Sequence, residues 1–285
     1  MKIVAASGID SDTRPIGIFD TGLGGLCAVR EALKILPGED IIYFGDSGRV
    51  PYGSRSYDII KKYSIQDMNF LISKNVKIIL IACGTVSSVA IHDLKEIFFD
   101  IPILGVVETA CEKAVGIAKA KQNKNIGVIG TEATISRGAY TKYINELDET
   151  CEVYGKACPL FVPLVEYGHT DGDEITKLAA EKYLRELKDL NLSSLILGCT
   201  HYPLIKNTIG EIINFNNKTE LIDVGFEAAH KLKQELTERN LLNDRNRKGA
   251  LDIYVSDEAH SFSRIASNFL GFEVPGVTAV DIEKY

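Results

Sequence analysis

The sequence predicts an α/β protein: two pseudo-symmetric doubly wound domains with parallel sheets and an active site in the cleft between them. Three observations predict it. Apolar runs of strand length alternate with helix-like segments, the pattern of parallel sheets covered on both faces. The stretch Ile16-Gly17-Ile18-Phe19-Asp20-Thr21 resembles Ile126-Gly127-Val128-Ile129-Gly130-Thr131, which points to a duplicated unit. Two cysteines, Cys83 and Cys199, end apolar runs in similar turns, Ile-Leu-Ile-Ala-Cys-Gly-Thr and Leu-Ile-Leu-Gly-Cys-Thr-His, and strand ends of open parallel sheets converge on the ligand crevice.

In chain order the strand candidates are residues 15–20, 40–45, 76–83, 102–107, 126–130, 152–158, 195–199, 220–224 and 251–255. Their apolar, β-branched content and small-residue ends carry the assignment. The helix candidates between and after them are residues 25–36, 57–74, 86–98, 109–121, 135–148, 172–189, 203–215, 225–239 and 258–270. A further echo, residues 103–110 against 221–228, follows each cysteine at about the same interval and again supports duplication. The polar stretch 240–249 interrupts the pattern as an exposed loop. The strand and helix after it have no counterpart in the middle half, so they are expected to return to the first domain. The division is then 1–108 plus 222–285 for the first domain, with Asp20 and Cys83, and 109–221 for the second, with Cys199 and His201.

Composition narrows the function. At 285 residues the chain exceeds one typical domain of about 100–150 residues. A net charge of −7 offers no basic face for phosphate backbones, so no nucleic acid is expected as partner and a small molecule is. Residues 1–8 are too short an apolar stretch for a signal peptide, and no run of about 18 apolar residues occurs. No membrane association is expected, and the protein is placed in the cytoplasm. The six cysteines are widely spread without a C-x-x-C pair, which favours reduced thiols and no metal site.

Four segments carry chemistry. Phe19-Asp20-Thr21-Gly22-Leu23-Gly24-Gly25 sets an acid and a hydroxyl before glycines that let a ligand approach the backbone; the same residues also suit a plain strand-to-helix turn with a polar cap. Gly45-Asp46-Ser47-Gly48-Arg49-Val50-Pro51-Tyr52-Gly53 suits an anionic ligand, or serves only as a turn-rich loop. Cys83-Gly84-Thr85 ends a buried strand in a thiol, which is either reactive or an inert core cysteine. Gly198-Cys199-Thr200-His201-Tyr202-Pro203 is the most informative, because a thiol, a hydroxyl and an imidazole occupy three consecutive positions. Its histidine can act as base, acid or charge partner, and Pro203 suits the first position of a helix.

These motifs together resemble the glutamate racemase family, cofactor-independent members of the aspartate/glutamate racemases, over about residues 15–271. Phe-Asp-Thr-Gly-Leu-Gly-Gly, Pro-Tyr-Gly, Ala-Cys-Gly-Thr, Cys-Pro-Leu-Phe-Val-Pro-Leu-Val-Glu and Gly-Cys-Thr-His-Tyr-Pro lie in the family's order. The resemblance implies racemisation of L-glutamate to D-glutamate for peptidoglycan synthesis. It implies no cofactor, no metal and a homodimer. It makes Cys83 and Cys199 the two acid/base thiols, assisted by Asp20 and His201. Asp20 and Thr21 hold the substrate's amino end, Tyr52 and Gly53 contact its distal side, and Gly84, Thr85, Thr200 and His201 fill the remaining contacts. Glu166 matches an acidic residue lining the cleft.

Two departures stand out: Gly84 replaces the family's usual Asn, and Thr21 its usual Ser. Thr21 keeps the hydroxyl, whereas Gly84 loses an amide whose hydrogen bonds are worth about 0.5–1.5 kcal/mol each. That departure motivates one alternative, a racemase of aspartate or another acidic amino acid. A second, of a different class, is a binding protein that kept the cleft but lost turnover, which intact Cys83, Cys199, Asp20 and His201 do not favour. Chemically, inverting an α-carbon is most direct with a proton acceptor on one face and a donor on the other. A thiol of ordinary pKa requires about 2 kcal/mol to ionise at pH 7, which His201 would lower for Cys199. A carboxylate near Cys83 would raise that thiol's pKa.

Overall fold

The computed structural model describes residues 12–213, 218–243, 245–257, 259–274 and 276–285. Residues 1–8, read above for a leader, lie outside these, as do 214 and 215 of the 203–215 helix candidate, 244 of the polar loop and 258 of the last helix candidate. In chain order the first part comprises β1 (Ile16–Asp20), α1 (Leu26–Ile35), β2 (Ile41–Gly45), α2 (Tyr57–Ser73), β3 (Ile78–Ile81), α3 (Gly84–Val89), α4 (Ile91–Ile97) and β4 (Ile103–Gly105). The middle continues with α5 (Val106–Lys121), β5 (Asn125–Gly130), α6 (Glu132–Ser136), α7 (Ala139–Leu147), β6 (Glu152–Ala157), α8 (Phe161–Glu166), α9 (Glu174–Leu184), β7 (Ser194–Leu197), α10 (Lys206–Ile213) and β8 (Glu220–Asp223). The chain ends with α11 (Val224–Glu238), β9 (Leu251–Val255), α12 (Ala259–Leu270) and β10 (Thr278–Ala279).

Two sheets result, ordered β10-β9-β2-β1-β3-β4 and β6-β5-β7-β8. Every neighbouring pair is parallel. The order β6-β5-β7-β8 repeats β2-β1-β3-β4, so the internal echo in the sequence is a topological duplication. In this order the chain crosses from one side of β1 to the other between β2 and β3. Ligand crevices of open α/β sheets form at such crossings, beyond the strands' carboxyl ends. The crossings put the turns after β1 and β3 together in one sheet, and those after β5 and β7 together in the other.

The continuous apolar runs follow from burial on both faces. In β3, Ile78 and Leu80 belong to the core shared with α1 and α5, while Ile79 and Ile81 pack under α2, α3 and α4 with Phe19, Phe44 and Phe70. The first core extends without a break through α1, α5 and α11 to β5 and β7. Helices α5 and α11, the two connections between sheets, pack against each other. No helix among the described residues is long and apolar enough to cross a membrane.

Several helices differ from expectation for local reasons. The 86–98 candidate is two helices broken at Ala90, because Val-Ser-Ser-Val is weakly helical and Ser88 bonds back to the Gly84 carbonyl. The 135–148 candidate is split by Gly138, whose positive φ of 64° ends one helix and starts the next. The 172–189 candidate begins only after Asp173, whose carboxylate accepts from the Ile175 and Thr176 amides. Pro203 stands in a 3-10 turn, Tyr202–Ile205, and the α-helix starts at Lys206. Helix α8 and the short strand β10 are additions that no apolar periodicity announced.

Lys77 fixes the start of β3 and is fully buried. Its Nζ lies 2.6 Å from Glu39 Oε2 and donates to the carbonyls of Asp12 and Leu241. Removing one member of a buried pair strands the other charge. Lys77→Ala is therefore expected to lower the unfolding free energy by about 3–5 kcal/mol in urea titrations; an unchanged midpoint would show that Glu39 finds another partner.

Candidate active site

The carboxyl ends of both sheets open onto one cleft of about 1160 Å³. Its walls include every residue expected at the site: Asp20, Thr21, Tyr52, Gly53, Cys83, Gly84 and Thr85 from one side, and Glu166, Cys199, Thr200 and His201 from the other. All six cysteines are free, and Cys83 and Cys199 are the two that line this cleft.

The turn after β1 is shaped by Asp20. Its buried carboxylate accepts from the amides of Gly22 at 3.2 Å and Gly25 at 3.0 Å, wrapping the glycine-rich loop around itself. The loop then reaches the opposite half. A side chain on Gly24 would place its Cβ 2.1 Å from Thr200 Oγ1 and 2.7 Å from His201 Nδ1, so only glycine fits. The cysteine turns also meet: a Cβ on Gly84 would lie 3.5 Å from the Gly198 carbonyl, in ordinary contact.

Cys83 caps α3, its sulfur accepting from the Val86 amide at 3.5 Å, and lies 3.9 Å from the Thr21 hydroxyl. Burial pushes this thiol up, and the Asp20 charge adds to the effect. The Val86 amide, the Thr21 hydroxyl and the Thr85 amide partly offset them, leaving the thiol at about 12. Cys83 therefore carries its proton at neutral pH.

The opposite thiol has a different environment. Cys199 Sγ is 3.7 Å from His201 Nδ1, and His201 Nε2 is 3.0 Å from Glu166 Oε1. Burial disfavours charge on His201, but hydrogen bonds to Cys199 and Glu166, and the negative charge of both, outweigh it and raise the imidazole to about 10. The Phe269 ring packs edge-on against the imidazole at 5.3 Å. Segments around this relay are locked together: Phe161, at the start of α8, packs edge-on to Tyr202, whose hydroxyl donates to the Cys158 carbonyl at 3.0 Å.

The loop after β2 forms the cleft rim. Arg137, between α6 and α7, donates across to the carbonyls of Gly53 at 3.4 Å and Arg55 at 3.1 Å. The Tyr52 hydroxyl bonds Asp46 and Asp67, neither of which lines the cleft. The cleft also has walls that the motifs did not include. Thr131 follows β5 where Thr21 follows β1, a correspondence the internal repeat already contained. Phe262 and Ile265 of α12 line the cleft too; in sequence they look like any amphipathic core positions.

With this geometry in hand, similarity to known proteins is decisive. The sequence model of the Asp/Glu/Hydantoin racemase family matches residues 29–231. The chain belongs to that family. It is 40% identical to a glutamate racemase of Geobacter metallireducens over 95% of this chain and 97% of the relative. It is 42% identical to one of Thermoanaerobacter pseudethanolicus, over 96% and 100% of the two chains. The crystal structure of a glutamate racemase from Francisella tularensis in complex with D-glutamate superposes with a TM-score of 0.87 at 39% identity, covering 96% of this chain and 100% of that one.

Two outcomes follow for this racemase-family site. Replacing Gly24 by Ala overpacks the contact with Thr200 and His201, a cost of about 1–3 kcal/mol. Steady-state assays should show kcat/KM falling about tenfold or more, and parent values would mean that the two loops do not touch in the working protein. The second outcome concerns pH. A folded-state pKa raised above the ordinary value contributes stability present below about 6.5 and lost as pH climbs through about 10. Glu166→Gln removes one of the charges that hold the imidazole protonated, so the alkaline limb of the activity profile should move to lower pH; an unmoved limb would separate Glu166 from His201.

Proposed function

We propose that the protein interconverts L- and D-glutamate by proton transfer between two thiols, without a cofactor, and so supplies D-glutamate for peptidoglycan. One observation carries the reading: thiols from topologically equivalent turns of two duplicated sheets line the same cleft. The glutamate racemases it matches along nearly their whole length support the substrate. We take the domains to be 1–108 with 222–285, and 109–221, which the strand membership of the two sheets supports, and the working protein to be a cytoplasmic homodimer.

The two thiol environments divide the labour. Cys83 starts as a thiol and serves as the acid. Cys199 serves as the base, with the His201 imidazolium supplying positive charge where its sulfur becomes anionic. Cys199 takes the α-proton from one face while Cys83 delivers its own to the other. The products are the opposite enantiomer, a Cys83 thiolate and a protonated Cys199. This exchanged state runs the reverse reaction, so one site serves both directions.

Substrate binding eases the step that burial opposes. The Asp20 charge helps keep Cys83 protonated. A substrate ammonium held by Asp20 and Thr21 neutralises that charge and lets Cys83 become anionic after it has given up its proton. Hydroxyls of Thr85 and Thr200, with amides of the cysteine turns, hold the α-carboxylate and disperse charge growing on it. Gly84 contributes its backbone alone.

The test is circular dichroism of L-glutamate incubated with pure protein and no added cofactor. The signal should decay to zero, and Cys83→Ser should slow the decay by about 10²–10⁴-fold, the usual contribution of a positioned acid or base. Near-parent turnover in that variant would defeat the two-thiol reading. Decay with aspartate but not glutamate would move the substrate to the shorter acid.

A further inference from the structure

Beneath residues 50–53 lies a buried polar cluster that the reaction does not use. Arg49 donates from Nε to Asp46 Oδ2 at 2.7 Å and from Nη2 to Asp67 Oδ1 at 3.1 Å. Its Nη1 donates to Gln66 and to the exposed Glu283, and its guanidinium lies over the Tyr63 ring at 4.1 Å. The side chains of Asp46 and Asp67 are both fully buried. Tyr52, itself almost wholly buried, places its hydroxyl against Asp46 Oδ2 and, at 3.0 Å, against Asp67 Oδ2.

Hydrogen counting makes this cluster specific. Ionised carboxylates only accept, and a phenol has one hydrogen to give. One hydroxyl hydrogen cannot satisfy two carboxylates, so one of the two contacts requires a hydrogen from the carboxyl side. Charge counting agrees, because one buried guanidinium faces two buried carboxyls. Asp46 takes the closer pairing with Arg49, at 2.7 Å against 3.1 Å for Asp67, which leaves the proton on Asp67. Burial, followed by the neighbouring Asp46 charge, raises Asp67 well above the usual carboxylate range, in the same direction.

We propose that Asp67 is a neutral acid in the resting protein and a positioning residue for substrate binding: it donates to Tyr52, which donates to Asp46, and the chain of bonds fixes residues 50–53 at the cleft wall. The hydroxyl of Tyr52 is thus occupied away from the cleft. What this segment offers a ligand is its backbone and the surfaces of Val50 and Pro51. The assignment rests on the reading above in one respect, that residues 50–53 receive the distal end of the substrate.

The test uses the full chain with Asp67→Asn, Asp67→Ala and Tyr52→Phe. Asparagine supplies an N–H where the acid supplied an O–H and keeps a carbonyl for Arg49. Asp67→Ala and Tyr52→Phe should raise KM about fivefold to tenfold, the loss of roughly one hydrogen bond, with kcat little changed. Asp67→Asn should recover most of the parent KM. Infrared difference spectra at pH 7 should contain the carbonyl band of a protonated carboxylic acid that disappears in Asp67→Asn. Asparagine failing as badly as alanine, or no such band, would overturn the neutral acid, and parent KM in Tyr52→Phe would overturn the positioning role. If the parent protein leaves glutamate unchanged, the proposed reaction fails, while the infrared band still decides the state of Asp67.

Discussion

The architecture depends on how closely two strand-end loops approach each other. Gly24 lies directly against Thr200 and His201, and Gly84 faces Gly198. These contacts bring the turns of two duplicated sheets to the same cleft, so groups of opposite halves can act on one atom. A single doubly wound sheet has its crevice at one switch point, and its functional groups approach a ligand from one side. Duplication supplies the second side. The continuous core through α1, α5 and α11 holds the halves in that relation.

Symmetry of the fold does not extend to electrostatics. Cys83 is buried and sits near a carboxylate, which together outweigh the helix-capping amide and make it retain a proton. Cys199 adjoins a histidine that Glu166 helps to keep charged. A racemase needs its two thiols in opposite protonation states at the start of each turnover, and two equivalent environments would give no preference for either state. The cluster under residues 50–53 has a comparable logic. Two buried carboxyls share one guanidinium, and a proton supplies what the charge balance lacks.

Much of this was legible in the sequence because the signals were strong and local. Each of the nine strand candidates overlaps a strand of the structure, since parallel strands buried on both faces leave uninterrupted apolar runs bounded by small residues. Cys83, Cys199, Asp20 and His201 were identifiable from turns in which reactive types replace apolar ones, helped by resemblance to a known family. What escaped notice depends on tertiary placement. Phe262, Ile265 and Phe269 are indistinguishable from core positions until α12 lies over the cleft. Arg137 becomes meaningful only when Gly53 and Arg55 face it across the rim. Helix α8, which ends at Glu166, is too short for periodicity, and Pro163 in its first turn gave no warning of a helix. Tyr52 was expected beside the substrate, but its hydroxyl is engaged with two aspartates that the sequence places 6 residues before it and 15 after it.

The central claim is that two groups on opposite faces handle the proton, and isotope labelling tests it most directly. One enantiomer of glutamate is incubated with the protein in deuterium oxide, and both enantiomers are analysed at low conversion. Two thiols predict product carrying a solvent deuteron at the α-carbon while unreacted substrate keeps its protium. Product that retains the original protium, or substrate labelled as fast as product forms, would mean that a single group serves both faces and would contradict the account.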